Sequence, residues 1–321
     1  MKRTILLSLT CSLLAINGAV GSEADTFTRR NEFLADSTEI INLKANQAIS
    51  DSILNANANA NNSGCIEKNL YKSMRLYFNN HMKGKLTIDI INNTEIPKRI
   101  ISLHDSIYGN WTPANGFGLG LGMMKKAKST LASVVILDKQ LVGVDKFEHM
   151  FGQGFLYFTD NYLKNKGPIT AAKKGAMREK LMLGGNILEN GVFSYGDLAA
   201  NFNGMRLWNH MLQLRDDVLG ADHNIGPYIA CENDKWVQVK EIDFRNYIDD
   251  SMDEAVNCSK FTTKATVKKF TKTINDLGFS CPVDQRRLDD LKVKYGPMAK
   301  YMINEQGTAV VKYFSEFSSK K

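Results

Sequence analysis

Residues 184–208 read GGNILENGVFSYGDLAANFNGMRLW, and the fold is decided by where helices stop and start within them. A helical pattern runs from about Ile169 to Asn190, and Gly191 ends it. A second helix is predicted to start at Ser194, where Ser194-Tyr195-Gly196-Asp197 has the S-x-x-D form of a capping box. Leu198, Phe202, Met205, Trp208 and Leu212 follow at helical spacing. Glu189 falls in the last turn of the first helix. Unpaired carbonyls give that end partial negative charge, so ionisation of a carboxylate there is disfavoured and its pKa rises. A carboxylic acid kept protonated near neutrality is what cleavage of a glycosidic bond requires. The plain alternative is a solvated Glu189 with no role.

Upstream, Asp145-Lys146-Phe147-Glu148 is predicted to open another helix, with Asp145 as N-cap and Glu148 three residues on. Phe147, Phe151, Phe155, Phe158 and Tyr162 form its apolar face. Gly152 and Gly154 lie inside it, where each costs roughly 1 kcal/mol against alanine, so close approach of another backbone is expected. Gly184 and Gly185 read the same way, or leave room for a ligand beside Glu189. Residues 65–82 read as a helix and Leu86–Ile91 as a short strand. Tyr108, Trp111 and Phe117 sit on a Gly-rich loop and are expected to be exposed or half-buried, anchoring the loop or stacking on sugar faces.

The first 21 residues have the form of an export signal: Lys2 and Arg3, an apolar run from Thr4 to Ile16, and small residues before Ser22. The run is too short for a membrane span. Removing it lowers the formal charge from +7 to +5, since it holds two cations and no carboxylate. A diffuse basic excess suits an anionic envelope surface and does not argue for nucleic acid. Residues 22–64 are a polar, Asn/Ala-rich segment ending in NANANANNSG, a low-complexity run expected to be a flexible lead or a fraying helix. Residues 65–321 are expected to form a single, mainly helical domain with its core in 65–260. Beyond the central helix, Trp236–Phe244 reads as extended, and helices are expected at 246–257, 260–276 and 285–304. Cys65, Cys231, Cys258 and Cys281 remain after export, an even number that suggests two disulfides with three pairings open. A periplasmic or secreted location is expected.

Glu148 and Asp197 have structural roles as capping residues, whereas Glu189 has none, which singles it out as the catalytic candidate. Asp145 and His149 share a helical face and could pair, or ligate a metal with His210 or His223. No H-E-x-x-H or C-x-x-C is present and the histidines are scattered, so no metal is expected, and no P-loop or other cofactor motif is found. Ser194 serves better as a cap than as a nucleophile.

A helix ending in Glu189, a loop carrying Ser194 and Gly196, and a new helix together resemble the lysozyme and lytic-transglycosylase superfamily. The segments SIYGNW, VDKFEHMFGQG, GVFSYGDLAANFNG and DEAVNCS resemble more narrowly the deacetylation-specific lysozymes of predatory bacteria. The chain has Glu189-Asn190 where soluble transglycosylases usually have Glu-Ser, and it lacks their G-L-M-Q. The resemblance implies a lysozyme-like helical domain with a small β element and extra C-terminal helices. It implies cleavage of peptidoglycan glycan strands, with Glu189 as general acid and Asp197 or Glu148 as a second carboxylate. Tyr195, Ser194 and Asn201 would contact substrate. Raised glutamate pKa values in lysozyme are the established precedent for such an acid. Two other readings stand beside it: a non-catalytic wall- or envelope-binding protein on the same scaffold, and a metal-dependent hydrolase using Asp145 and His149.

Overall fold

The structure is a computed structural model that describes residues 23–60, 64–78, 84–111, 131–181 and 191–312. The export signal, Phe117, Gly184, Gly185 and Glu189 lie outside the described residues. The protein is mainly α, with three small two-stranded antiparallel sheets among the described residues.

The fold is built around the helix Tyr195–Leu212, all eighteen residues of which are buried. A helix apolar on one face only would leave its other face to solvent. Here the polar positions are also enclosed, and each must find partners inside. Ser194 caps it as the sequence predicts: its Oγ accepts a hydrogen bond from the Asp197 amide at 3.1 Å. Gln213 ends it in the left-handed conformation, φ 45°.

A second helical run, residues 145–163, packs along this helix. Two π-helical turns, His149–Gln153 and Thr159–Leu163, interrupt it. The expected close approach is present: a Cβ on Gly154 would lie 2.7 Å from the Cα of Gly204 in the central helix. Trp208 then meets Phe155 edge to face at a centroid distance of 4.9 Å, with Phe78 and Tyr71 further round the ring. The expected cap at Asp145 is not formed. Val144 is the N-cap, in helical conformation, and the Asp145 side chain turns to Lys146 instead.

The Asn/Ala-rich segment is not a loose lead. Thr38–Ala58 is a 21-residue helix (α1) whose Ile41, Ala45, Ile49 and Ile53 form a buried stripe. Its asparagines substitute for a partner strand. Asn57 exchanges two 2.9 Å bonds with the backbone of Trp236, and Asn46 and Asn42 accept from the amides of Ile242 and Phe244. Asn57 lies in the low-complexity run and Asn42 and Asn46 upstream of it, and all three amides read distant backbone. The helix Glu67–Phe78 (α2) lies against α1.

Lys85–Asn92 is a helix, not the expected strand; Leu86, Thr87 and Ile90 are its buried side, and a run this short is ambiguous between the two periods. No α-helix forms over 246–257. Asp243, Asp249 and Asp253 each accept from the amide two residues on, at 2.9–3.0 Å, and these local bonds divert the chain into short 3-10 turns. Tyr108 and Trp111 are buried rather than exposed. They pack edge to face at 5.1 Å, and Trp111 rests on Phe261.

Hairpins join β1 (Val134–Leu137) to β2 (Gln140–Gly143), and β4 (Ile229–Glu232) to β5 (Lys235–Gln238). The pair β3 (Val192–Phe193) with β6 (Lys260–Phe261) fixes the entry to the central helix against the segment that carries Glu254. Two disulfides, Cys65–Cys231 and Cys258–Cys281, close the framework, as suits a chain that matures in an oxidising compartment. No helix among the described residues is long and apolar enough to cross a membrane.

Candidate functional site

The first turn of the central helix, the start of the 145–163 helical run and the 253–259 segment converge on a buried group of charges. Lys146 stands at the centre and is 1% exposed. Its ammonium lies 2.6 Å from Asp145 Oδ2, 2.7 Å from Asp197 Oδ1 and 2.6 Å from Glu254 Oε1. Three carboxylates around one cation are the arrangement a buried lysine needs to remain charged. Burial alone would lower the Lys146 pKa, but Asp145, Asp197, Glu254 and Glu23 together hold it well above the usual lysine range.

Asp197 is shared. Its Oδ2 lies 3.1 Å from His149 Nε2, and the other ring nitrogen, Nδ1, lies 3.1 Å from Asn201 Oδ1. Asn201 stands one turn beyond Asp197 on the central helix, so one helix face both pairs with and orients the imidazole. Burial would raise the Asp197 carboxyl, yet His149 and Lys146 hold it below the ordinary carboxylate range. Burial would lower His149, and the Asp197 charge and hydrogen bond raise it to about 10.

The remaining carboxyls behave in the opposite way. Burial, reinforced by Asp145 and Asp197 and opposed by Lys146, lifts Glu254 to about 7. Burial and the charge of Asp197 lift Glu179 well above the ordinary range, and burial with Glu254 lifts Glu23 similarly. Five carboxyls (Glu23, Asp145, Glu179, Asp197, Glu254) therefore face two cations (Lys146, His149). The interior resolves the excess by keeping some of them protonated.

Each residue singled out in the sequence has a definite place here, except Glu189, which lies outside the described residues. Asp197 is at the heart of the cluster. Ser194 Oγ donates to Glu254 Oε1 at 3.1 Å while capping the helix. Asn201 orients His149. Glu148 is buried on the same helical run. Tyr195 is buried, with its ring edge-on to Phe193 and Lys260 Nζ 5.3 Å from its centroid. His210 is elsewhere, 2.8 Å from Asp217 and hydrogen-bonded to Tyr247, and His223 is on a surface turn.

Sequence reading missed Lys146, Glu179, Glu254 and Glu23. Lys146 sits between two residues that were singled out, and Glu254 lies within the DEAVNCS segment, so both were within reach. Glu179 stands in AAKKGAMREK, where abundant lysine gives the appearance of a solvated face. Comparison with family models, with curated proteins and with solved structures returned no match.

Proposed function

We propose that the protein is an exported glycosidase that cleaves the glycan strands of bacterial peptidoglycan, on a lysozyme-like helical scaffold. The observation that carries the reading is the division of the carboxyls in one buried cluster. Burial pushes the Glu254 carboxyl up to about 7 and the Glu179 carboxyl well above the ordinary range, while His149 and Lys146 hold Asp197 below it. Titratable pairs driven apart by their surroundings are how acid and base roles are divided at one pH. Glycosidic cleavage uses such a pair, one carboxyl donating to the leaving oxygen and one carboxylate acting on the opposite face.

In this reading Glu189 is the proton donor that the resemblance implies. Asp197 is saturated by Lys146 and His149, so its part is to stabilise positive charge nearby rather than to activate water. A de-N-acetylated strand carries a free cationic amine, which an interior with surplus carboxyls favours. The test uses mature wild type, Glu189→Gln and Glu179→Gln, each incubated with native and enzymatically de-N-acetylated peptidoglycan, with products identified by mass spectrometry. Fragments with reducing ends from wild type and not from Glu189→Gln are expected; equal release by wild type and Glu189→Gln overturns the assignment.

A second reading, a non-catalytic wall-binding protein, draws on a different surface. Lys166, Lys174 and Arg178 all lie within 4 Å of the one carboxylate of Asp160. This leaves a local positive excess suited to anionic polymer. Co-sedimentation of every variant with wall material, without release of fragments from any, favours this reading.

A further inference from the structure

We infer that His149, Glu179 and Asp197 form a binding site for a single divalent transition-metal ion of the zinc class. One nitrogen of His149, one carboxylate oxygen of Glu179 and one of Asp197 lie within 4.8 Å of one another. A zinc ion with bonds of roughly 2.0–2.2 Å to nitrogen and oxygen needs only a modest contraction of that triangle.

The neighbouring triad is instructive by contrast. Asp145, Asp197 and Glu254 also converge closely enough to ligate an ion, but the Lys146 ammonium already fills their centre. The cluster thus contains two convergences: Lys146 fills the first from outside its three carboxyls, whereas in the second the cation is His149, itself one of the three converging groups.

Glu179 is the independent observation. It is 3% exposed, yet its Oε1 accepts no hydrogen bond among the described residues. A buried carboxyl oxygen without a donor is costly to the fold, and the carboxyl group it belongs to converges with an imidazole nitrogen and a second carboxylate.

The imidazole is also set as a ligand. Asn201 Oδ1 accepts from Nδ1 and keeps that proton in place, so the proton an ion would displace is the one on Nε2, which faces Asp197. Metal-ligating histidines are oriented in this way, by a carbonyl or carboxylate on the nitrogen that does not bind. His149 opens a π-helical turn, a distortion frequent at functional sites. Its side chain is 12% exposed, so the imidazole reaches solvent. A dication, a neutral imidazole and two carboxylates sum to zero charge. Mixed imidazole and carboxylate donors suit zinc better than magnesium or calcium. Three protein ligands leave a coordination position open, as in catalytic rather than structural zinc sites.

The inference does not depend on the glycan reading. Purified mature protein, stripped with chelator, would be titrated with Zn2+ against a chromophoric competitor, and separately with Co2+ while visible absorption is recorded. One equivalent is expected, with cobalt bands of low coordination number. Glu179→Gln and His149→Gln should each weaken binding by at least about a hundredfold, the upper end of what loss of an outer-shell partner alone costs. His223→Gln, at an unrelated surface histidine, should bind as wild type. Failure to retain an ion, or equal retention in all variants, overturns the site. Should a variant fail to fold, wild type decides: Zn2+ should protect His149 from diethylpyrocarbonate, mapped by mass spectrometry, and absence of both protection and cobalt bands overturns the proposal.

Discussion

Gly154 and Gly204 meet backbone to backbone, and their contact sets how closely the 145–163 helical run can lie on the central helix. That distance in turn places His149 and Lys146 opposite Asp197. Alanine at 204 would improve helix propensity by roughly 1 kcal/mol. It would also drive a methyl into the backbone of Met150, which cannot yield as a side chain could. The added Cβ would stand 2.2 Å from the Met150 carbonyl oxygen and 2.6 Å from its Cα, far inside contact. The cost therefore lies above the roughly 1–3 kcal/mol typical of overpacking and outweighs the gain in propensity. Gly204→Ala should therefore be destabilised in urea unfolding by more than Gly278→Ala. Gly278 has φ +80° and open space around it, so its penalty is the conformational one alone, about 1–2 kcal/mol. Equal costs would show that the helix contact is not tight.

Lys146 should be the most sensitive charged position in the chain. Replacing it with methionine keeps the volume and removes the cation shared by Asp145, Asp197 and Glu254. Breaking a buried ionic group from one side typically costs about 3–5 kcal/mol, because uncompensated charge remains. Lys146→Met is expected to lose stability on that scale in chemical denaturation at neutral pH. Adding Glu254→Gln should restore part of the loss. If the double variant is no more stable than the single one, the cluster is not coupled through charge.

The parts of this architecture that were legible in the sequence are those governed by local chemistry. Ser194 is an N-cap because a hydroxyl before an apolar-periodic run has an amide to satisfy, and Gly154 inside a helix signals a neighbouring backbone. The site was only half legible. Asp197 and His149 were both singled out, but Asp197 was assigned a reciprocal capping bond, and its side chain instead serves Lys146 and His149. That choice is made by residues 51 and 48 positions away in the chain, and no local pattern encodes it. The same holds for α1, whose asparagines bond to backbone about 180–200 residues downstream. Where side chains satisfy distant backbone, composition reads as disorder.

The two disulfides should contribute unequally. Cys65–Cys231 spans 166 residues and Cys258–Cys281 spans 23. In the chain-entropy description the longer closure restrains the unfolded chain more, by about 5 against about 3 kcal/mol. The Cys65→Ala/Cys231→Ala variant is expected to unfold at lower urea concentration than Cys258→Ala/Cys281→Ala. The reverse order would mean that packing of the 253–283 segment around its bridge outweighs loop entropy.

Stability should fall as pH rises through neutrality, the opposite of the usual behaviour of a carboxylate-rich protein. Burial raises the folded pKa of Glu254 to about 7, above the ordinary glutamate value of 4.5. Such a group contributes stability that is complete below its unfolded pKa and is lost as pH climbs through the folded value. Glu23 and Glu179 are shifted in the same direction. His149, raised to about 10 by Asp197, keeps its contribution at neutral pH and loses it only in alkali. Asp197 has the other sign: its depressed pKa gives stability above the ordinary carboxylate range that disappears in strong acid. Together these place the maximum on the acid side of neutrality for metal-free protein, between the unfolded carboxylate range and pH 7. Urea unfolding of chelator-treated protein at closely spaced pH values checks this, and Glu254→Gln should flatten the slope between about pH 4.5 and 7. A wild-type profile that instead rises across that interval would mean that the buried carboxyls are ionised in the folded state, with Lys146 and His149 rather than added protons balancing them.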